Sequence, residues 1–166
     1  MNDLVPVSEA DARRGADAWP VDERPGFLIR RLHQIHVSLF AEMCAGHGLT
    51  PLQFSLMSSL IDLGRADQTR LAGAIAVDRT TTTGVLKRLE TRGLVTRVTS
   101  ADDRRSRACS LTAKGRALHA AIEASARRAH DTTLMHLTPN EQAVLIGLMK
   151  RVIAGHSGRT DGSALL

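Results

Sequence analysis

Arg79 is followed by four consecutive threonines, Thr80, Thr81, Thr82 and Thr83, with Lys87 and Arg88 one to two helical turns further on. Lysine and arginine pair with phosphate, while a threonine hydroxyl bonds phosphates or base edges and its methyl can meet a thymine methyl. Four β-branched residues in a row make a poor helix interior, because χ1 freedom is lost and the hydroxyls compete for backbone bonds. At a helix N-terminus, where free N–H groups and the positive dipole end favour an anion, contact with a ligand explains the run better. A second string, Asp102-Asp103-Arg104-Arg105-Ser106-Arg107, adds to the charge. Residues 79 to 107 hold eight basic residues against three acidic ones, an excess equal to the chain's whole formal net charge of +5. Such a stripe is the electrostatic footprint of a nucleic-acid binder. A solvated face is the alternative reading of charge alone.

The elements that must position these residues are legible in the spacing. Leu28, Leu32, Ile35, Leu39 and Met43 form a helical stripe that Gly46 and Gly48 end. Thr50-Pro51-Leu52-Gln53 has the form of a helix start with a reciprocal cap, and Leu52, Leu56, Leu60 and Leu63 follow up to Gly64. Asp67 or Thr69 starts a short helix through Leu71, Ala72 and Ile75, and Asp78 starts another that carries Val85, Leu86 and Leu89 to Gly93. The period then becomes two, from Leu94 to Thr99 and again from Ala108 to Leu111, which predicts a hairpin with a basic tip. LTAKG opens a long helix through Leu118, Ile122, Ala126 and Ala129, and Thr138-Pro139-Asn140-Glu141 opens the last, with Val144, Leu145, Leu148, Met149, Val152 and Ile153. The first 25 residues, with Pro6, Pro20 and Pro25, read as an extension with a short helix after Ser8, and the Gly/Ser-rich tail as disordered.

At 166 residues, 43% hydrophobic and 23% charged, the chain is the size of one globular domain or of one DNA-binding core framed by pairing helices. Aromatic residues are only 2% and tyrosine is absent, which favours an aliphatic core between helices over a β-sandwich. No apolar run is long enough for a spanning helix, and the acidic N-terminal residues do not suit a signal peptide, so a cytoplasmic protein is expected. Cys44 and Cys109 lack CxxC spacing and read as reduced thiols. No Gly-rich phosphate loop, GxSxG or HExxH pattern occurs, so no catalytic residue, cofactor or metal is expected.

The strings LTPLQFSLMSSL, DQTRLAGAIAVDRTTTTGVLKRLETRGLVTRVTS, DDRRSRACSLTAKG and LTPNEQAVLIGLMKRV, in this order and spacing, resemble the MarR (multiple antibiotic resistance regulator) family over residues 27 to 153. The resemblance implies a mostly α fold with a small β-hairpin wing, a winged helix-turn-helix core flanked by N- and C-terminal dimerisation helices. The expected divisions are an extension (1–25), a first dimerisation helix (26–48), the DNA-binding lobe (49–111), C-terminal dimerisation helices (112–156) and a tail (157–166). The helix from about 67 to 76 would be the first of the pair and that from about 79 to 91 the recognition helix. Base and phosphate contacts fall on its early part, with Lys87 and Arg88 meeting phosphate. In the wing the resemblance implies a basic residue entering the minor groove, braced by an acidic neighbour. Arg104, Arg105 and Arg107 are candidates, with Arg105 and Asp103 the favoured insert and brace.

By the same resemblance the partners are a double-stranded DNA operator of pseudo-palindromic form, a second copy of the chain, and a small-molecule effector that releases a repressor. The effector is commonly a phenolic or aromatic carboxylate, or its thioester, bound between the dimer helices and the DNA-binding lobe. Arg30, His33 and Phe40 on the first helix, with Phe54 and Met57 on the next, would surround it, cations pairing with the carboxylate and the ring resting on aromatic and thioether groups. Ordinary core for Phe40, Phe54 and Met57, and solvation for Arg30, are the alternative. Metal sensing through His33, His36 and His47 lacks a completing carboxylate or cysteine. Redox sensing through Cys44 is disfavoured by its place at a helix C-terminal end. A winged-helix protein-docking module without DNA binding is the rival from a different class.

Overall fold

The computed structural model describes residues 19–99 and 107–156. A 3-10 turn at Val21–Glu23 precedes α1 (Pro25–Met43), α2 (Pro51–Leu63), the short strand β1 (Ala66–Asp67), α3 (Gln68–Ala74) and α4 (Arg79–Thr91). The hairpin strands β2 (Val95–Thr99) and β3 (Arg107–Leu111) follow, then α5 (Ala113–Thr133) and α6 (Pro139–Gly155). The fold is mostly helical with a small antiparallel sheet, as the sequence predicts. The expected helix after Ser8 and the tail from residue 157 lie outside the described residues.

Local chemistry accounts for the helix starts. Thr50 and Thr138 each form a complete capping box, with Gln53 and Glu141 reaching back to the cap N–H. Asp67, Asp78 and Thr112 cap α3, α4 and α5 by accepting the backbone N–H three residues on. Gly46, Gly48, Gly64 and Gly93 all take positive φ at the breaks between elements. Ala76 is the one non-glycine residue with positive φ among the described residues, at 52°, in the turn joining α3 to α4.

The sheet runs in the order β1-β3-β2, with Val95 opposite Leu111, Arg97 opposite Cys109, and Ala66 also opposite Cys109. The strand β1 was not predicted: at two residues it has no period to read. Asp67 serves twice, as a strand residue paired with Ala108 and as the α3 cap.

The chain divides into two compact units at Ile35–His36, within α1. In the unit from His36 on, the core joins Leu56, Met57 and Leu60 of α2, Leu71 of α3, Val85, Leu86 and Leu89 of α4, Leu94, Val95, Cys109 and Leu111 of the hairpin, and Ile122, Ala126 and Ala129 of α5. Gly115 is required where α5 starts: a Cβ there would lie 2.1 Å from the Leu94 carbonyl oxygen. Of the stripe read on α1, Leu28 and Ile35 are exposed and Leu32, Leu39 and Met43 half-buried, while Phe40 is that helix's buried residue. No residue of α6 is buried.

Candidate nucleic-acid interface and effector cleft

The start of α4 is set by Asp78, whose carboxylate accepts the Thr81 N–H at 2.8 Å and the Thr81 hydroxyl besides. These bonds, the hydroxyl's first, hold the Asp78 carboxyl below its ordinary range. The core side of the helix follows from Thr82, Val85, Leu86 and Leu89, spaced i, i+3, i+4 and i+7 and all buried. The opposite side carries Arg79, Thr80, Thr81, Thr83, Lys87 and Arg88, all exposed. One expectation is thereby corrected. Thr82 has no exposed surface, and its hydroxyl donates to the Asp78 carbonyl at 2.9 Å, so it is a core residue that cannot reach DNA. The run is therefore not uniform: the helical period turns its third threonine inward. Thr83 donates to the Arg79 carbonyl at 2.7 Å and accepts from the Gln68 amide, which also donates to the Arg79 carbonyl at 3.1 Å, tying α3 to the first turn of α4.

The hairpin beside α4 is anchored by Arg97, whose Nε lies 3.1 Å from the Glu90 carboxylate. Arg92 donates to the carbonyls of Gly48 and His47 at 2.6 and 2.9 Å. Two of the eight basic residues in the charge-rich segment thus serve the fold, a division that charge counting does not reveal. Arg107 begins β3 opposite Thr99, while Asp103, Arg104 and Arg105 lie outside the described residues.

A cleft of about 420 Å³ opens between α2 and α5. Phe54, one of the five residues expected around an effector, is on its wall, stacked on the His119 ring at 4.7 Å between centroids and 3° between planes. Phe40 packs behind, its ring 5.8 Å from that of Phe54. Phe40 and Met57 are buried among core side chains, which corrects their expected place around a ligand: each follows a stripe leucine, Leu39 or Leu56, and belongs to the core. Arg30 and His33 are exposed on the part of α1 that belongs to the N-terminal unit, where the Arg30 guanidinium sits 5.3 Å over the Phe27 ring.

Sequence reasoning missed the cleft's polar residues, Ser58 and Asp62 on α2 and Arg116, His119, Glu123, Arg127 and His130 on α5. Ser58 Oγ lies 2.9 Å from His119 Nε2. Arg127 pairs with Glu123 at 2.8 Å, and its hydrogen bond holds the Glu123 carboxyl below its ordinary range. Arg116 donates to the Leu111 carbonyl at 2.7 Å. On α5 these residues read as an ordinary solvated face, because only α2 packed alongside makes them a wall.

The Cys44 and Cys109 thiols are both buried, and burial pushes each above its ordinary value. Among the described residues no group of three or more His, Cys, Asp or Glu could hold a metal ion, and no helix is long and apolar enough to cross a membrane.

The MarR family model matches residues 49–106, which take in α2, β1, α3, α4 and the first strand of the hairpin. The HTH-type transcriptional repressor NicR of Pseudomonas putida is 32% identical over 135 residues, covering 81% of this chain and 85% of its own length. Among solved structures, Bordetella bronchiseptica BpsR, whose DNA binding is regulated by 6-hydroxynicotinic acid, superposes with a TM-score of 0.77 at 30% identity, covering 81% of this chain and 96% of that one. The repressor CouR, bound to a 23-mer DNA duplex, gives a TM-score of 0.73 at 30% identity, covering 80% and 94%. With the capped helix α4, a hairpin beside it and relatives that repress transcription, the chain belongs to the MarR family of winged-helix, DNA-binding transcriptional regulators.

Proposed function

We propose that the protein acts as a homodimeric repressor that reads a pseudo-palindromic operator with α4 and the wing, and that a small aromatic carboxylate or its thioester releases it. The observation that carries the reading is the start of α4, where Arg79, Thr80 and Thr81 stand exposed at a capped helix N-terminus. The Asp78 carboxylate already caps the N–H groups of that turn, so phosphate is met by the Arg79 guanidinium, with the short polar side chains of Thr80 and Thr81 beside it for base edges. Thr83 shares the face, and Lys87 and Arg88 continue it toward the flanking backbone. Asp103, Arg104, Arg105 and Arg107 serve the minor groove, with Arg105 as the insert braced by Asp103.

In this reading residues 49–111 form the DNA-binding lobe, and 26–48 and 112–156 the dimerisation helices. The apolar side of α6 supports the pairing. Val144, Leu148 and Val152 succeed one another at i+4 spacing and are exposed by 61%, 49% and 61%, more apolar surface than a single helix leaves to water without a partner. Two recognition helices related by a two-fold axis then meet half-sites about one helical turn apart. Selection from a random duplex library with the purified protein is expected to enrich such a two-fold site. Enrichment of asymmetric sequence, or none, would sink the operator reading.

The effector's place is the α2–α5 cleft, with Phe54 offering a ring face. Release requires that the effector bind the DNA-incompetent dimer more tightly than the competent one. A hundredfold preference supplies about 2.7 kcal/mol. A redox route through Cys44 has less support, since burial keeps its thiol protonated.

A further inference from the structure

His119 is only 8% exposed, yet it lines the α2–α5 cleft with its ring flat against Phe54. Its Nε2 is 2.9 Å from Ser58 Oγ, which lies 3.0 Å from the Phe54 carbonyl oxygen. A carbonyl can only accept, and a serine hydroxyl has one hydrogen to give. Both contacts are hydrogen bonds at once in a single arrangement: Ser58 donates to the carbonyl and accepts from Nε2–H. The neutral imidazole is thereby set in the Nε2–H form, with its lone pair at Nδ1. Among the described residues Nδ1 has no hydrogen-bond partner, and it is not among the fully enclosed side-chain atoms, so it opens on accessible space. Two arginines share the wall. Arg127 is committed to Glu123, whereas Arg116 bonds a neutral carbonyl and makes no ion pair among the described residues.

We propose that His119 is a specificity residue of this cleft: its Nδ1 accepts a hydrogen bond from the hydroxyl or ring N–H of an aromatic acid whose carboxylate Arg116 receives. The inference rests on the effector reading above and adds to it the kind of ring substituent the cleft selects. An acid with a donor on its ring satisfies Nδ1; one without leaves a nearly buried acceptor dry.

The test is calorimetric binding at about pH 8, above the ordinary imidazole range, of 3- and 4-hydroxybenzoate against the matching fluorobenzoates, which are close in size and lack the donor. At least one hydroxybenzoate is expected to bind about tenfold more tightly than its fluoro counterpart. In Ser58→Ala, which frees the ring to take either tautomer, the ratio should fall to about threefold or less. Nitrogen-15 spectra of the unliganded wild-type imidazole supply a reading that needs no variant, expected to show protonated Nε2 and bare Nδ1. Equal binding of the pairs, a ratio unchanged in Ser58→Ala, or the reverse tautomer overturns the proposal and leaves the effector reading standing. Failure of all four acids both to bind and to release the protein from DNA overturns the two together.

Discussion

The threonine run shows how differently neighbouring residues of one type can serve. Thr80 is exposed and Thr82 has no exposed surface, although two positions separate them. Thr82→Ala removes a buried hydroxyl bonded to the Asp78 carbonyl along with a packed methyl, so it should cost about 1 kcal/mol in thermal or urea unfolding. Thr80→Ala should leave unfolding unchanged and weaken operator binding. The opposite pattern would mean that the inward and outward faces of α4 have been misassigned. Lys87→Ala should weaken binding to all duplexes alike and lower the slope of log K against log salt by about one unit, read by fluorescence anisotropy across a salt series. Asp78 couples the same helix to pH. Its carboxyl is held below the ordinary range by the Thr81 hydroxyl and then the Thr81 N–H, so its contribution is present above the ordinary carboxylate range and lost as pH falls through the depressed value. Asn caps as well as Asp but does not titrate. Melting temperatures measured from about pH 6 down to about pH 3 should therefore fall more steeply for wild type than for Asp78→Asn.

At the scale of elements, α4 is fastened at both ends. Gln68 of α3 bonds the Arg79 carbonyl and the Thr83 hydroxyl at its start, while Arg92 bonds two carbonyls of the loop after α1 just past its end. The Arg97–Glu90 pair fixes the hairpin against its last turn. A helix restrained in this way presents its exposed side chains in one orientation, which limits the entropy lost on docking. The junction of hairpin and α5 depends on Gly115, where backbone meets backbone. A methyl at that position cannot be relieved by a side-chain rotation, so Gly115→Ala should destabilise by roughly 1–3 kcal/mol, measured by urea unfolding. A variant as stable as wild type would show that the α5 start shifts without cost.

For the whole molecule, the exposed apolar side of α6 is the feature a single chain leaves unexplained. Leu148→Glu combined with Val152→Glu should convert a dimer to monomers in size-exclusion chromatography with light scattering, with helix content largely retained. Operator affinity should fall by far more than Lys87→Ala causes, because two linked half-site contacts become one. A double variant that stays dimeric would move the interface away from α6.

The sequence by itself determined the element order and the helix caps, because each rests on local chemistry. Caps, glycine breaks and the change of period from 3.6 to two act within a few residues: Asp78 and Thr50 are legible without any partner. Which members of a run face solvent was within reach too, since Thr82 shares its spacing with Val85, Leu86 and Leu89. Only the tertiary structure decided the rest. The strand Ala66–Asp67 exists because β3 lies beside it, and Arg92 and Arg97 leave the basic stripe because carbonyls and a carboxylate distant in sequence reach them. The cleft's polar wall likewise joins Ser58 to His119, 61 residues apart. Such contacts have no local period, and side-chain polarity becomes a site only when packing brings two faces together.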